Sequence, residues 1–160
     1  MVTFGFKPAE GFATLDLPPI ESRLVVHQKH PLASREGVLA RADLSEHIEL
    51  FVAGCAQDPI SVHHDLHLGG AHLFEVSDFG LKRQAILEGV GYGWLPRHMI
   101  EAELGRGELV SLSLTEGSTR WLLPQLVYRL DPPLGLMGRR LLTYLEEEVR
   151  VISRSRSKLI

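Results

Sequence analysis

Three histidines stand within five positions of one another, His63, His64 and His67. Imidazoles at that spacing can share a metal ion when one helical turn carries them and Asp65 or Cys55 comes round as a further ligand. The plainer reading is that loop histidines sit in water or cap backbone groups. Cys55 is the one cysteine of the chain. It has no second thiol to form a disulfide or resolve a sulfenate, so the expectation is a small, buried or half-buried thiol. Ser77 and Asp78 precede a helical pattern, where side-chain oxygens of their type cap the first turn. The free N–H groups of such a turn, with the positive end of the helix dipole, also suit the carboxylate of a small organic acid. The glycines at 89, 91 and 93 end a helix and enter a strand, the reverse of the strand-to-helix order of a dinucleotide fingerprint. They read instead as a helix stop and a tight turn. Glu146 to Glu148 read as a solvated helix face. No catalytic residue is assigned, and no cofactor is expected.

The elements that must position these groups follow from periodicity. Val2 to Phe6, Phe12 to Leu17 and Ile20 to His27 read as strands, with Pro18-Pro19 and His30-Pro31 as punctuation. Residues 32 to 41 read as a surface loop, ADLSEH as a helical turn and IELFVAG as a core strand. From Cys55 to Gly70 there is no clear period, only Pro59, three histidines and a Gly-Gly pair, so this stretch is read as loop. HLFEV then gives a strand, Ser77 or Asp78 an N-cap, a helix to about Glu88, Gly89 a stop and YGWLP a second strand. The strand-helix-strand order predicts a crossover with parallel strands. On that helix Phe79, Ile86 and Val90 are expected on the inner side, with Lys82, Arg83 and Gln84 facing water. RHMIEAEL predicts a helix stopping at Gly105. GELVSLSL and WLLPQLVYRL predict one strand each, and Leu136 to Val151 an amphipathic helix whose apolar side is Leu141, Leu142, Leu145, Val149 and Ile152.

With 160 residues, 44% of them hydrophobic, the chain can bury the core of one domain or two small lobes. No apolar run approaches the roughly 18 residues of a membrane-spanning helix. The first residues show no secretory leader, and a reducing cytoplasm is the expected setting. A net charge of −3 argues against DNA binding by this chain alone, which needs clustered Lys and Arg to release counterions. The basic tail from Arg154 reads as a frayed end.

The order of the pieces resembles a known family. RLVVHQKHPLA, ARADLSEHIELFV and VSDFGLKRQAILEGVGYGWLPRHMIEAELGRGELVSL are similar to the regulatory domain of LysR-type transcriptional regulators. That family carries a strand ending in HPLA, an ADL turn and a Gly- and Pro-punctuated stretch of the kind spanning Ile86 to Leu112. The resemblance implies an α/β fold of the type II periplasmic-binding-protein kind, with one complete lobe and part of a second. Residues 1–26 and 125–153 would form the partial first lobe, 27–124 the second lobe and 154–160 a tail. The family's helix-turn-helix and the opening units of its first lobe are not expected in this sequence. The implied activity is effector sensing by ligand-dependent conformational change, with a small molecule, an organic acid, as partner. The implied ligand contacts are Gln57, Ser61, His64, His67, Ser77, Asp78 and Phe79. In the family the helix equivalent to Asp78 to Glu88 packs against the opening helix of a partner subunit; without that helix, a concentration-dependent homodimer outside the family's usual arrangement is expected. The rival readings are a solute-binding protein of the same fold and a small metal-dependent enzyme using His63, His64 and His67.

Overall fold

The computed structural model describes residues 1–4, 9–35, 37–52, 68 and 70–156. The chain divides into two compact units, Met1–Pro19 with Leu123–Ile160, and Ile20–Leu122.

The smaller unit is a three-stranded antiparallel sheet and a helix. Strand β1 (Val2–Phe4) and strand β2 (Phe12–Asp16) flank a central strand from the far end of the chain, Pro124–Arg129. Leu126 pairs with Val2 on one side and Leu15 on the other. The helix of this unit spans Leu136–Arg156, past the expected end at Val151.

The larger unit is a mixed sheet. Its strands are β3 (Ile20–His27), β4 (Ile48–Val52), β5 (His72–Val76), β6 (Tyr92–Pro96), β7 (Leu109–Ser111) and β8 (Thr119–Leu122), so the Pro124–Arg129 strand is β9. The order is β5-β4-β6-β3-β7, with β8 also on β3. β5 and β6 both run parallel to β4, so the predicted crossover is parallel, with β4 inserted between its two strands. β3 runs antiparallel to β6, β7 and β8.

Both faces of this sheet are covered, which explains why LVVH and GWLP read as near-continuous apolar runs. Leu24, Val26, Tyr92 and Trp94 pack on one face with Leu32, Leu44 and Leu68. Val25, Leu50, Val76 and Leu95 pack on the other with Ile86 and Ile100. The HPLA stretch has a structural purpose. His30 Nδ1 accepts a hydrogen bond from the Leu32 N–H at 3.2 Å, starting a 3-10 turn over Pro31–Ser34 that buries Leu32. The ADL turn is helix α1 (Arg41–Leu44), which buries Leu44.

Helix α2 (Phe79–Leu87) ends where Gly89 takes a left-handed φ of 76°. Two expectations for α2 fail. Val90, expected on the inner side, is 37% exposed, and Lys82 is 4% exposed, not turned to water. The reason lies across the sheet at Gly93: a Cβ there would stand 2.6 Å from Lys82 Cε and 2.9 Å from the Leu50 carbonyl oxygen. The missing side chain on β6 makes room for the Lys82 stem, which an apolar count along the helix cannot foresee. Gly91 is tighter still, with a Cβ only 2.1 Å from the Ile48 carbonyl oxygen. Gly91 and Gly93 are therefore close-approach glycines rather than turn residues.

Three boundaries also differ. A 3-10 turn (Arg97–Met99) precedes helix α3 (Glu101–Arg106), which stops at Gly107 with φ 72°, not at Gly105. WLLPQLVYRL is not one strand but two. It leaves β8 at Leu122 and enters β9 at Pro124, in the other unit's sheet. The Leu136–Arg156 helix is α4.

Candidate functional site

In open α/β sheets ligands gather outside the carboxyl ends of the parallel strands. Here those ends are Val52, Val76 and Pro96, and β5 leads from Val76 through Ser77 into α2. Of the predicted contacts, Ser77, Asp78 and Phe79 fall together at this turn. Gln57, Ser61, His64 and His67 lie outside the described residues, as do Cys55 and His63.

Ser77 and Asp78 are exposed, and Phe79 is half-buried against the cluster of Ile86 and Val76. Asp78 is the N-cap: its carboxylate accepts from the Leu81 N–H at 2.9 Å and from the Ser77 hydroxyl at 2.7 Å. The Leu81 N–H, followed by the Ser77 hydroxyl, holds the Asp78 carboxyl below its ordinary pKa. One of the free N–H groups of the first turn of α2 thus already has an anionic partner from its own chain. A ligand acid at this turn would meet the remaining donors and the Asp78 charge together.

Lys82 Nζ lies 6.0 Å from the centroid of the Phe79 ring. The Lys82 stem runs under α2 to Gly93, near the start of β6, and the residue was read from the sequence as a solvent-facing one.

Glu49 was also missed. It is the second residue of β4, 1% exposed, and its carboxylate accepts from the Leu68 N–H at 2.8 Å and the Gly70 N–H at 3.3 Å. It anchors the chain where it returns towards β5 after the histidine-rich segment. Burial first, and the Glu49 charge second, push the Tyr92 hydroxyl above its ordinary pKa. That hydroxyl has no hydrogen-bond partner among the described residues. An acid inside the apolar run IELFV was the available sequence signal. A third missed group is Glu103, buried on α3 and paired with Arg83 of α2 and, at 3.2 Å, with Arg106. Its own backbone N–H and then Arg83 keep its pKa low, and the pair ties α2 to α3.

Two other features lie away from this end or closed to it. A hollow lined by Ile48, Ala71, His72, Leu73 and Phe74 opens at the amino ends of β4 and β5, the opposite end from Ser77. Ser22 Oγ, Trp94 Nε1 and Arg120 Nε are enclosed and have no hydrogen-bond partner among the described residues, with the Arg120 guanidinium 5.6 Å from the Trp94 ring. Among the described residues, no group of three or more His, Cys, Asp or Glu is placed to hold a metal ion, and no helix is long and apolar enough to cross a membrane.

The family model described as LysR substrate binding domain matches residues 1–150. Among solved structures, the Synechocystis PCC6803 CcmR regulatory domain in complex with 2-PG is similar, at 18% identity and a TM-score of 0.65, over 92% of this chain and 72% of that one. The CrgA regulatory domain from Neisseria meningitidis aligns at 19% identity and 0.62, over 92% and 74%. The effector domain of AmpR of Pseudomonas aeruginosa aligns at 16% and 0.67, over 97% and 74%. At these identities the structures establish the fold. No curated protein sequence matches this chain.

Proposed function

Because this chain belongs to the LysR substrate-binding domain family, we propose that it senses a small organic acid at the carboxyl ends of β4, β5 and β6, and acts by changing conformation rather than by catalysis. The family is one of transcription-regulator domains, so the chain's output is a shift in the population of two conformations by a ligand that binds one of them better. The observation that supports the reading is that Ser77, Asp78 and Phe79 stand together at the turn out of β5, at the strand ends where this sheet architecture takes its ligands.

In this proposal Gln57, Ser61, His64 and His67 supply hydrogen bonds from the segment between β4 and β5, Phe79 the apolar wall, and Ser77 and Asp78 the polar rim. The described three, Ser77, Asp78 and Phe79, belong to the unit Ile20–Leu122. The lobe division at residues 26/27 and 124/125, the homodimer through α2 and the lack of DNA affinity of this chain alone are parts of the same reading.

Titration calorimetry against a panel of small organic acids, with 2-PG of the CcmR complex among them, tests it. Saturable binding of one class, weakened at least about tenfold by Phe79→Ala or by His64→Ala with His67→Ala, is expected. Binding that these variants leave unchanged, or a panel with no saturable member, would overturn the site.

A further inference from the structure

Helix α4 carries more apolar surface than its own unit covers. Leu142, Leu145 and Val149 are half-buried. On the adjoining strip Met137, Leu141, Tyr144 and Val151 are 72, 56, 58 and 57% exposed. With Glu148 these four follow one another at steps of 4, 3, 4 and 3 residues. That repeat lays side chains along a single seam, the pattern of two helices packed along their length. An ordinary solvated helix face does not carry it, since the charged residues of α4 stand beside the strip and only Glu148 stands within it.

We propose that this seam closes against the same seam of a second copy of the chain, with the two α4 helices antiparallel. The charges choose both the partner and the direction. Arg140 and Glu147 lie seven residues apart on the same edge of the strip, both exposed. When Leu141 faces the partner's Tyr144, Arg140 comes opposite the partner's Glu147, and the two-fold axis repeats the pair. In that register Glu148 faces the partner's Met137, with the partner's Arg140 beside it. A parallel pair would set Glu148 against its own copy and turn Arg140 towards the uncharged edge of Gly138 and Leu145. It would gain a like-charge contact at the centre and no compensating pair. A polar residue on the seam and a matched pair, repeated by the two-fold along one edge, are devices that set register in helix pairs. The inference rests on α4 alone and is independent of the ligand reading and of any contact through α2.

Sedimentation of the full chain over a wide concentration range, with Arg140→Glu, Glu147→Arg and the double exchange, tests it. The unaltered chain should dimerise. Each single reversal places like charges together twice and should weaken the dimer at least about tenfold, and the double exchange should restore it to within about threefold. Circular dichroism checks that the helix persists, and a dimer that weakens as salt rises supplies a second readout without any substitution. A monomer at every concentration, a dimer indifferent to all three variants, or a double exchange as weak as the singles would each overturn the seam.

Discussion

Glu49 shows how one buried side chain can hold backbone that is distant in sequence. Its carboxylate is buried and takes two backbone N–H groups, those of Leu68 and Gly70. Glu49→Ala leaves both donors without that acceptor, at a cost of about 3 kcal/mol in denaturant unfolding. Tyr92→Phe, which removes a buried hydroxyl with no partner among the described residues, should be neutral or slightly stabilising in the same assay. His30 adds a pH dependence. Burial first, then His47 and His27, lower its pKa from the usual 6.5, and its neutral ring accepts from the Leu32 N–H. Because the folded pKa lies below the unfolded one, the contribution is full above about pH 6.5 and declines as pH falls through 6.5 towards the folded value. His30→Asn keeps an acceptor without titrating, so it should flatten the fall in melting temperature below pH 6.5.

At the scale of elements, α2 starts on the Asp78 carboxylate and ends on Gly89. Asp78→Ala should lower the melting temperature at pH 7, whereas Asp78→Asn, which can still accept from Leu81, should lower it less. The sign with pH follows from the depressed Asp78 pKa. The cap's ionic contribution is present above the ordinary aspartate range and is lost as pH falls below it, so the gap between the unaltered chain and Asp78→Ala should narrow in acid. The packing of α2 and β6 on β4 depends on absent side chains. Gly91→Ala would drive a Cβ to 2.1 Å from the Ile48 carbonyl oxygen. With backbone on both sides neither can yield cheaply, and a loss of about 3 kcal/mol or more is expected on denaturant unfolding.

For the whole molecule, the charge balance is the governing quantity. A net charge of −3 leaves little to release counterions from a duplex, so fluorescence anisotropy with labelled DNA at physiological salt should show no saturable binding at protein concentrations below roughly micromolar. Ion pairs such as Arg41 with Glu116 and Arg106 with Glu108 consume basic side chains that would otherwise meet phosphate. Sequence-specific binding at nanomolar protein would show that a basic surface has been overlooked.

Much of this architecture is written in local pattern. The apolar runs LVVH, IELFV and GWLP, the punctuation at His30-Pro31, the cap at Asp78 and the stop at Gly89 each report a nearest-neighbour preference, so β3, β4, β6 and α2 could be read from residues alone. The spacing from Ile86 to Leu112 carried the family with them. What pattern could not reach were contacts between segments distant in sequence. Lys82 is buried because Gly93, eleven positions later, leaves room for it. Glu49 is buried because Leu68 and Gly70 come back to satisfy it. The run WLLPQLVYRL divides at Leu123 because its halves pair with β3 and with β1 and β2, in different units. Local preference names the element, but a side chain's desolvation and a strand's partner depend on which distant atoms arrive beside it, and that is settled only when the chain has folded.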